Sequence, residues 1–306
     1  MPGATAMPRL RARALYCAAV LADVQSDPDA AESLSREACD IYREADDAQG
    51  MATTISVMAF QAQRRGRYDE STALFAETVT LWKRLGDATA VELGTSNVAH
   101  AAKTAGNFEL ARRLLEQLLA SARERGDIRA FTSALNGLGD VAAAEHNHDA
   151  ARRYYQESLA RYREVDDRWG IARVLADLAN IDLHAGNYQV ADGSLREALQ
   201  AFRALGHQRG VARQLEALSW CAGSQSRHEA AVRLAAAAAA IRQRIGAPGK
   251  PLEREKVERT LEQARAGISA DAYRAAWKEG LSAPLDRALG LEAEPGAECP
   301  GQHAQE

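Results

Sequence analysis

Residues 128–165 read IRAFTSALNGLGDVAAAEHNHDAARRYYQESLARYREV, and two helical periodicities run through them on either side of a turn. Leu135, Leu138 and Ala142 recur at three- and four-residue steps before the turn, and Ala151, Tyr155 and Leu159 do so after it. That spacing gathers apolar side chains on one face of a helix. The stretch predicts a helical pair, Ile128–Glu145 with His148–Val165.

The pair returns every 40 residues without a gap. Ser26, Gly66, Gly106, His146, Gly186 and Ser226 form one turn column, and five residues later Ala31, Ser71, Ala111, Ala151, Ala191 and Ala231 form a column of small side chains. A second small column runs Ala19, Ala59, Ala99, Gly139, Ala179 and Ser219, twelve residues ahead of the first. Small residues at two such positions mark where paired helices cross closely. A repeat of this length means stacked helical hairpins, from Arg9–Gln25 with Pro28–Ala45 to Val211–Gly223 with His228–Ile245.

The turns carry matching punctuation. Gly106-Asn107 and Gly186-Asn187 place glycine where a helix ends in a left-handed residue. Gly86-Asp87 and Gly126-Asp127 add an aspartate able to cap the next helix, while Asp46-Asp47 and Asp166-Asp167 keep the cap and lose the glycine. Tyr42, Trp82, Tyr162 and Phe202 make an aromatic column near the end of the second helix, read as core.

Length and charge bound the function. Each repeat of a solenoid contacts mainly its neighbours, so 306 residues read as one elongated domain. A net charge of -4, from 38 basic and 42 acidic residues, offers no basic stripe for nucleic acid. Cys17, Cys39, Cys221 and Cys299 lack metal or disulfide spacing and read as reduced thiols of a cytoplasmic protein. Arg9, Arg11 and Arg13 precede the apolar run Ala14–Ala22 much as charges precede a secretion signal. However, Leu15, Ala18, Ala19 and Ala22 share columns with Leu135, Leu138, Gly139 and Ala142, and the run reads as helix. No stretch of about 18 apolar residues is present to span a bilayer.

The order Leu135, Leu138-Gly139, Ala151, Tyr155 and Ser158 resembles the tetratricopeptide repeat, although a period of 40 departs from the family's common 34 and lengthens both helices. The resemblance implies an all-α, right-handed superhelical solenoid of about six hairpins, over residues 9–246. The run Ala235–Ala240 puts alanine at the places of Tyr155 and Ser158, so a close neighbour is expected there. Residues 250–291 supply it as a C-terminal helical cap, with helices Leu252–Ala266 and Ala270–Glu279 and a turn near Leu285–Leu289; residues 292–306 read as a disordered tail. Ile245-Gly246-Ala247-Pro248, followed by Ala272–Gly280 and Leu285–Leu289, is similar to the end of the repeat region in bacterial signal-transduction ATPases, some adenylate-cyclase-linked and some carrying a LuxR-type DNA-binding domain. That likeness implies an ATPase domain in the same or a neighbouring chain.

Catalytic motifs are not found. Gly249-Lys250 lacks the first glycine and the hydroxyl residue of a phosphate-binding loop and reads as linker. His146 and His148 lie in a turn without further ligands, so no metal and no cofactor are expected, and no enzyme activity.

What remains is surface. In the tetratricopeptide family the first helix of each pair lines a concave groove, and register carries those positions onto Arg13, Phe60, His100, Lys103, Asn136 and Asp140, then onto Arg173, Asn180, Arg213 and Trp220. Phe60 and Trp220 are the aromatic anchors, and Arg173 and Arg213 can hold a carboxylate or phosphate bidentately. Trp220 lies two turns beyond Arg213, a grouping suited to an acidic peptide with an apolar side chain. The carboxylate clamp of chaperone-binding relatives is not reproduced, since Tyr16 and Val20, or Ser56 and Phe60, take its places. The expected function is a non-catalytic scaffold or sensor that binds a protein or peptide segment in the groove, in bacterial signal transduction or transcriptional regulation, with no direct nucleic acid and no membrane. The alternatives are a free-standing peptide-binding adaptor and a small-molecule effector receptor.

Overall fold

The computed structural model describes residues 7–25, 27–249 and 251–282, together with 287 and 289. Among the described residues every regular element is helical, and the chain divides into two compact units, Met1–Ser158 and Leu159–Glu306. The first unit holds α1 (Pro8–Val24), α2 (Pro28–Glu44), α3 (Ala48–Arg64), α4 (Tyr68–Leu85), α5 (Ala88–Thr104), α6 (Phe108–Arg125), α7 (Ile128–Ala144) and most of α8 (His148–Glu164). The second holds the end of α8, then α9 (Arg168–His184), α10 (Tyr188–Ala204), α11 (Gln208–Ser224), α12 (His228–Ile245), α13 (Pro251–Gly267) and α14 (Ala270–Ser282). The turn expected near Leu285–Leu289 falls, apart from residues 287 and 289, outside the described residues, as does the C-terminal tail.

The repeating helices are 17 or 18 residues long, about 26 Å at 1.5 Å per residue. Asp47, Asp87, Asp127 and Asp167 each accept a hydrogen bond from the amide three residues on, which satisfies a donor that the helix leaves open. His207 takes over this place for α11, its Nδ1 accepting from the Gly210 amide at 3.1 Å. The helix accordingly begins at Gln208, a turn earlier than Val211, where the apolar pattern had put its start. Gly86, Gly126 and Gly246 close their helices at positive φ, and Asp46, His146, Asp166 and Ser226 are forced into the same left-handed region without being glycine. For His146 that conformation costs about 1 kcal/mol. His146→Gly and Asp166→Gly should therefore each raise the thermal midpoint, and a fall in either would mean that the side chain contributes more than its backbone strain removes.

The two small columns meet as their spacing requires. Ala19, Ala31, Ala59, Ala151, Ala179, Ala191 and Ala231 are fully buried, and Ser219 Oγ donates to the Ala231 carbonyl at 2.8 Å across a hairpin. At Gly139 a Cβ would fall 2.5 Å from the Tyr155 ring, so only glycine lets that ring lie flat on α7. Phe75, Ile55 and Leu135 fill the first unit, and Leu195, Leu199, Leu215 and Leu218 the second. Cys39 and Cys221 are buried thiols whose pKa values are pushed up by that burial, and Cys17 is exposed; all three are free. Among the described residues no helix is long and apolar enough to cross a membrane.

Candidate binding face

The first helices α1, α3, α5, α7, α9 and α11 carry the residues expected to meet a partner. In the first unit Arg13 and His100 are exposed. Phe60 is 43% exposed, with one edge of its ring against Phe75 at 4.9 Å between centroids. Lys103 and Asp140 form an ion pair at 2.9 Å, and Tyr155 donates its hydroxyl to the other Asp140 oxygen at 2.8 Å. The Asp140 carboxylate thus joins α5, α7 and α8, each of its oxygens accepting from a different neighbour. Asn136 is only 1% exposed, and its Oδ1 is buried without a hydrogen-bond donor. Arg13, Phe60 and His100 are left as the outward-facing members of this set, and Leu93, also on α5, is 65% exposed.

In the second unit the side chains fall into two cavities. Asn180, Arg213 and Trp220 line the smaller, about 110 Å³, with Asp177, Glu216, Glu253, Lys256 and Val257. Glu253 and Lys256 come from α13 and continue by register the columns of Arg213 and Glu216. Lys256 Nζ sits 4.6 Å from the centre of the Trp220 ring, and His184 meets the same ring edge-on at 5.1 Å. Burial pushes the Lys256 ammonium below its ordinary pKa. Trp220 is therefore half-buried between α9 and α13, its face occupied by a cation of this chain.

The larger cavity, about 600 Å³, is walled by Trp169, Arg173, Phe202, His207, Arg209, Gly210, Arg213, Arg242 and one carboxylate, Glu253, with Gly246-Ala247-Pro248 along one edge. Arg173 and Arg213 come together here, and the aromatic beside them is Trp169, 48% exposed, with the Arg173 guanidinium 5.5 Å from its ring centre. Trp220 does not line this cavity, and Arg173 does not line the smaller one. The apolar pattern gave no reason to single out Trp169, Arg209 or His207. The repeat did hold a signal, because Trp169 and Arg209 share one column just as Arg173 and Arg213 share the next, one helical turn on.

His146 and His148 stand with ring centres 6.3 Å apart. Among the described residues no group of three or more His, Cys, Asp or Glu side chains is placed to hold a metal ion.

The tetratricopeptide-repeat family model matches residues 50–124 and 130–204. Among curated proteins none matches the sequence. The fold is similar to that of aspartyl phosphate phosphatase F from Bacillus subtilis, with a TM-score of 0.63 at 10% identity over 87% of this chain and 72% of that one. It is similar to the apo form of the quorum sensor NprR from B. thuringiensis, with a TM-score of 0.59 at 15% identity over 92% and 78%. A Signal Transduction ATPase with Numerous Domains from Pyrococcus horikoshii, which carries a tetratricopeptide repeat sensor, aligns with a TM-score of 0.58 at 15% identity over 88% of this chain and 44% of that one. The helical pairs, their small crossing columns and the family match agree: the chain is a tetratricopeptide-repeat protein.

Proposed function

We propose that the chain is a non-catalytic scaffold or sensor that holds a protein or peptide segment on the face of its first helices, in bacterial signal transduction or transcriptional regulation. The observation that carries this reading is the set of large apolar side chains left open on that face: Phe60 at 43%, Leu93 at 65% and Trp169 at 48% exposure. Such side chains cost solubility unless a partner covers them. A quorum sensor and a signal-transduction ATPase with a repeat sensor share the fold, which supports a regulatory setting. On this reading the hairpins of residues 9–246 do the binding, the helices beyond them cover the last hairpin, and an ATPase domain in the same or a neighbouring cytoplasmic chain receives the signal.

Panning a random peptide library displayed on phage tests the proposal. One motif should be enriched on the wild-type protein and lost on Phe60→Ala, Leu93→Ala or Trp169→Ala, while Arg113→Ala and Glu157→Ala, on exposed second-helix positions, retain it. No enrichment, or equal retention by all variants, would overturn it. A small-molecule effector receptor is the second reading, favoured by a cavity of about 600 Å³, within the range that drug-sized ligands occupy.

A further inference from the structure

Four arginines face the larger cavity of the second unit, and they differ in what holds them. Arg242 is fixed fork to fork by Glu216, with two hydrogen bonds of 2.9 Å, and approaches Glu253 at 3.8 Å. That pairing raises the Arg242 pKa further and makes the side chain part of the wall. Arg173, Arg209 and Arg213 have no acidic partner among the described residues. Arg173 is instead positioned by the Trp169 ring, and its Nε is buried without an acceptor. In a chain with more acidic than basic residues, three guanidinium groups without an ion-pair partner outnumber the carboxylate that lines the same cavity, Glu253, which already approaches Arg242, and the negative charge still wanting is a deficit that a ligand can fill.

The repeat shows how the deficit arises. At the helix-capping column the chain places Asp47, Asp87, Asp127 and Asp167, and then His207 at the mouth of this cavity. Histidine preserves the cap, because Nδ1 accepts from the Gly210 amide, and it removes the negative charge that a fifth aspartate would bring. Gly210 makes room for the change, since a Cβ there would fall 2.6 Å from both the His207 and Phe202 rings. One turn along α9 and α11, the columns of Trp169 with Arg209 and Arg173 with Arg213 bring a flat apolar ring and three cations to one opening. A guanidinium offers paired N–H donors that match the two oxygens of a carboxylate or the oxygens of a phosphoryl group.

We infer that this cavity is an anion-binding site that takes a carboxylate or phosphoryl group of a bound peptide segment on Arg173 and Arg213, with an adjacent apolar side chain resting on Trp169. The inference rests on the proposed peptide-binding function and adds the chemistry of the ligand. The site lies within the second unit, needs no residue of the first, and leaves Trp220 outside it. Arg209, at the exposed rim, contributes attraction over distance more than a fixed contact.

Fluorescence titration of the full chain with three short peptides of one apolar framework, bearing glutamate, phosphoserine or lysine at the same positions, provides the test. The glutamate or phosphoserine peptide should bind at least about tenfold more tightly than the lysine peptide, with an affinity that falls as salt rises. Arg173→Ala and Arg213→Ala should each weaken that binding about tenfold, Arg113→Ala should leave it unchanged, and quenching should vanish in Trp169→Phe. The ratio of glutamate to phosphoserine affinities identifies which anion the site prefers. Circular dichroism of each variant separates loss of binding from loss of fold. Equal binding of all three peptides, or undiminished binding to folded Arg173→Ala and Arg213→Ala proteins, would overturn the inference. A basic or apolar phage motif that still depends on Phe60 or Leu93 would sink it while leaving peptide binding on the first-helix face intact.

Discussion

A protein ending at Ala247 should melt about 10 °C earlier than the full chain, at 2–4 °C per kcal/mol, and should self-associate. α14 approaches α12 so closely that a Cβ on Gly280 would lie 2.2 Å from the Arg233 carbonyl oxygen, and that contact is with backbone, which cannot swing aside. Val232, Ala264 and Ala276 form one buried cluster with Leu261, Ile268, Tyr273 and Trp277 around it. Arg233 pairs with Glu279 at 3.1 Å, and farther along Arg196 donates to the Leu289 carbonyl at 3.1 Å. Removing both helices bares Val232 and the alanine run Ala235–Ala238, all buried in the full chain. α1 shows what an uncovered first-helix face looks like: Leu21 is 57% exposed, whereas its register mates Gln61, Ala101, Val141, Ile181 and Cys221 are buried. A thermal scan with size-exclusion chromatography decides the matter. If the shortened protein stays monomeric and melts no earlier, α13 and α14 are an interaction arm and not a cap.

The helical pairs were legible because a strict period lets one unit be checked against the next. Pro28 and Gly126 mark helix ends by their backbone chemistry and Asp87 by its side-chain acceptor, and the small columns announce the crossings before any contact is known. The start of α11 was not legible from its apolar pattern. Its cap is a histidine, a residue whose ring nitrogen must be placed before it can be recognised as an acceptor. The approach of α14 was foreseen in kind from the alanine run of α12, and the glycine that achieves it, Gly280, was not.

The candidate site was legible in part. Register brought Arg173 and Arg213 together, since residues one repeat apart on first helices are neighbours. It did not foresee that Lys103 would be tied to Asp140 or that Asn136 would be buried, because a column position does not say how far a neighbouring second helix reaches over it. Trp220 illustrates the same limit. Its ring lies on the expected helix, and the long side chain of Lys256, from a helix outside the regular repeats, covers its face. Trp169 lies one turn nearer the helix start than the positions carried over by family register, and that turn is where the cavity opens.

A pair of residues at the junction between hairpins gives the sharpest test of how one repeat is fitted to the next. Tyr162, near the end of α8, lies on the first turn of α9, and a Cβ on Gly170 would fall 2.4 Å from its ring. Tyr42 with Gly50 and Phe202 with Gly210 repeat the arrangement, with would-be Cβ contacts of 2.4 and 2.6 Å, whereas the corresponding residues at the end of α6 and the start of α7 are Ala122 and Ala130. The chain thus solves one junction in more than one way: a large ring on glycine, alanine against alanine, and a half-buried Trp82 with Ala90 at the glycine's place. Tyr162→Ala should cost about 3–4 kcal/mol, the scale for emptying a buried aromatic site. Gly170→Ala should cost about 1–2 kcal/mol, because overpacking against the ring exceeds the gain in helix propensity. The double variant recreates the Ala122–Ala130 solution: with the ring gone the added methyl meets open space, and the propensity gain of about 1 kcal/mol remains. It should therefore be more stable than Tyr162→Ala alone, with a coupling of about 2–3 kcal/mol in urea unfolding of the four proteins. Additive losses would show that the ring does not set the size of residue 170, and that the glycine serves the backbone of the helix start.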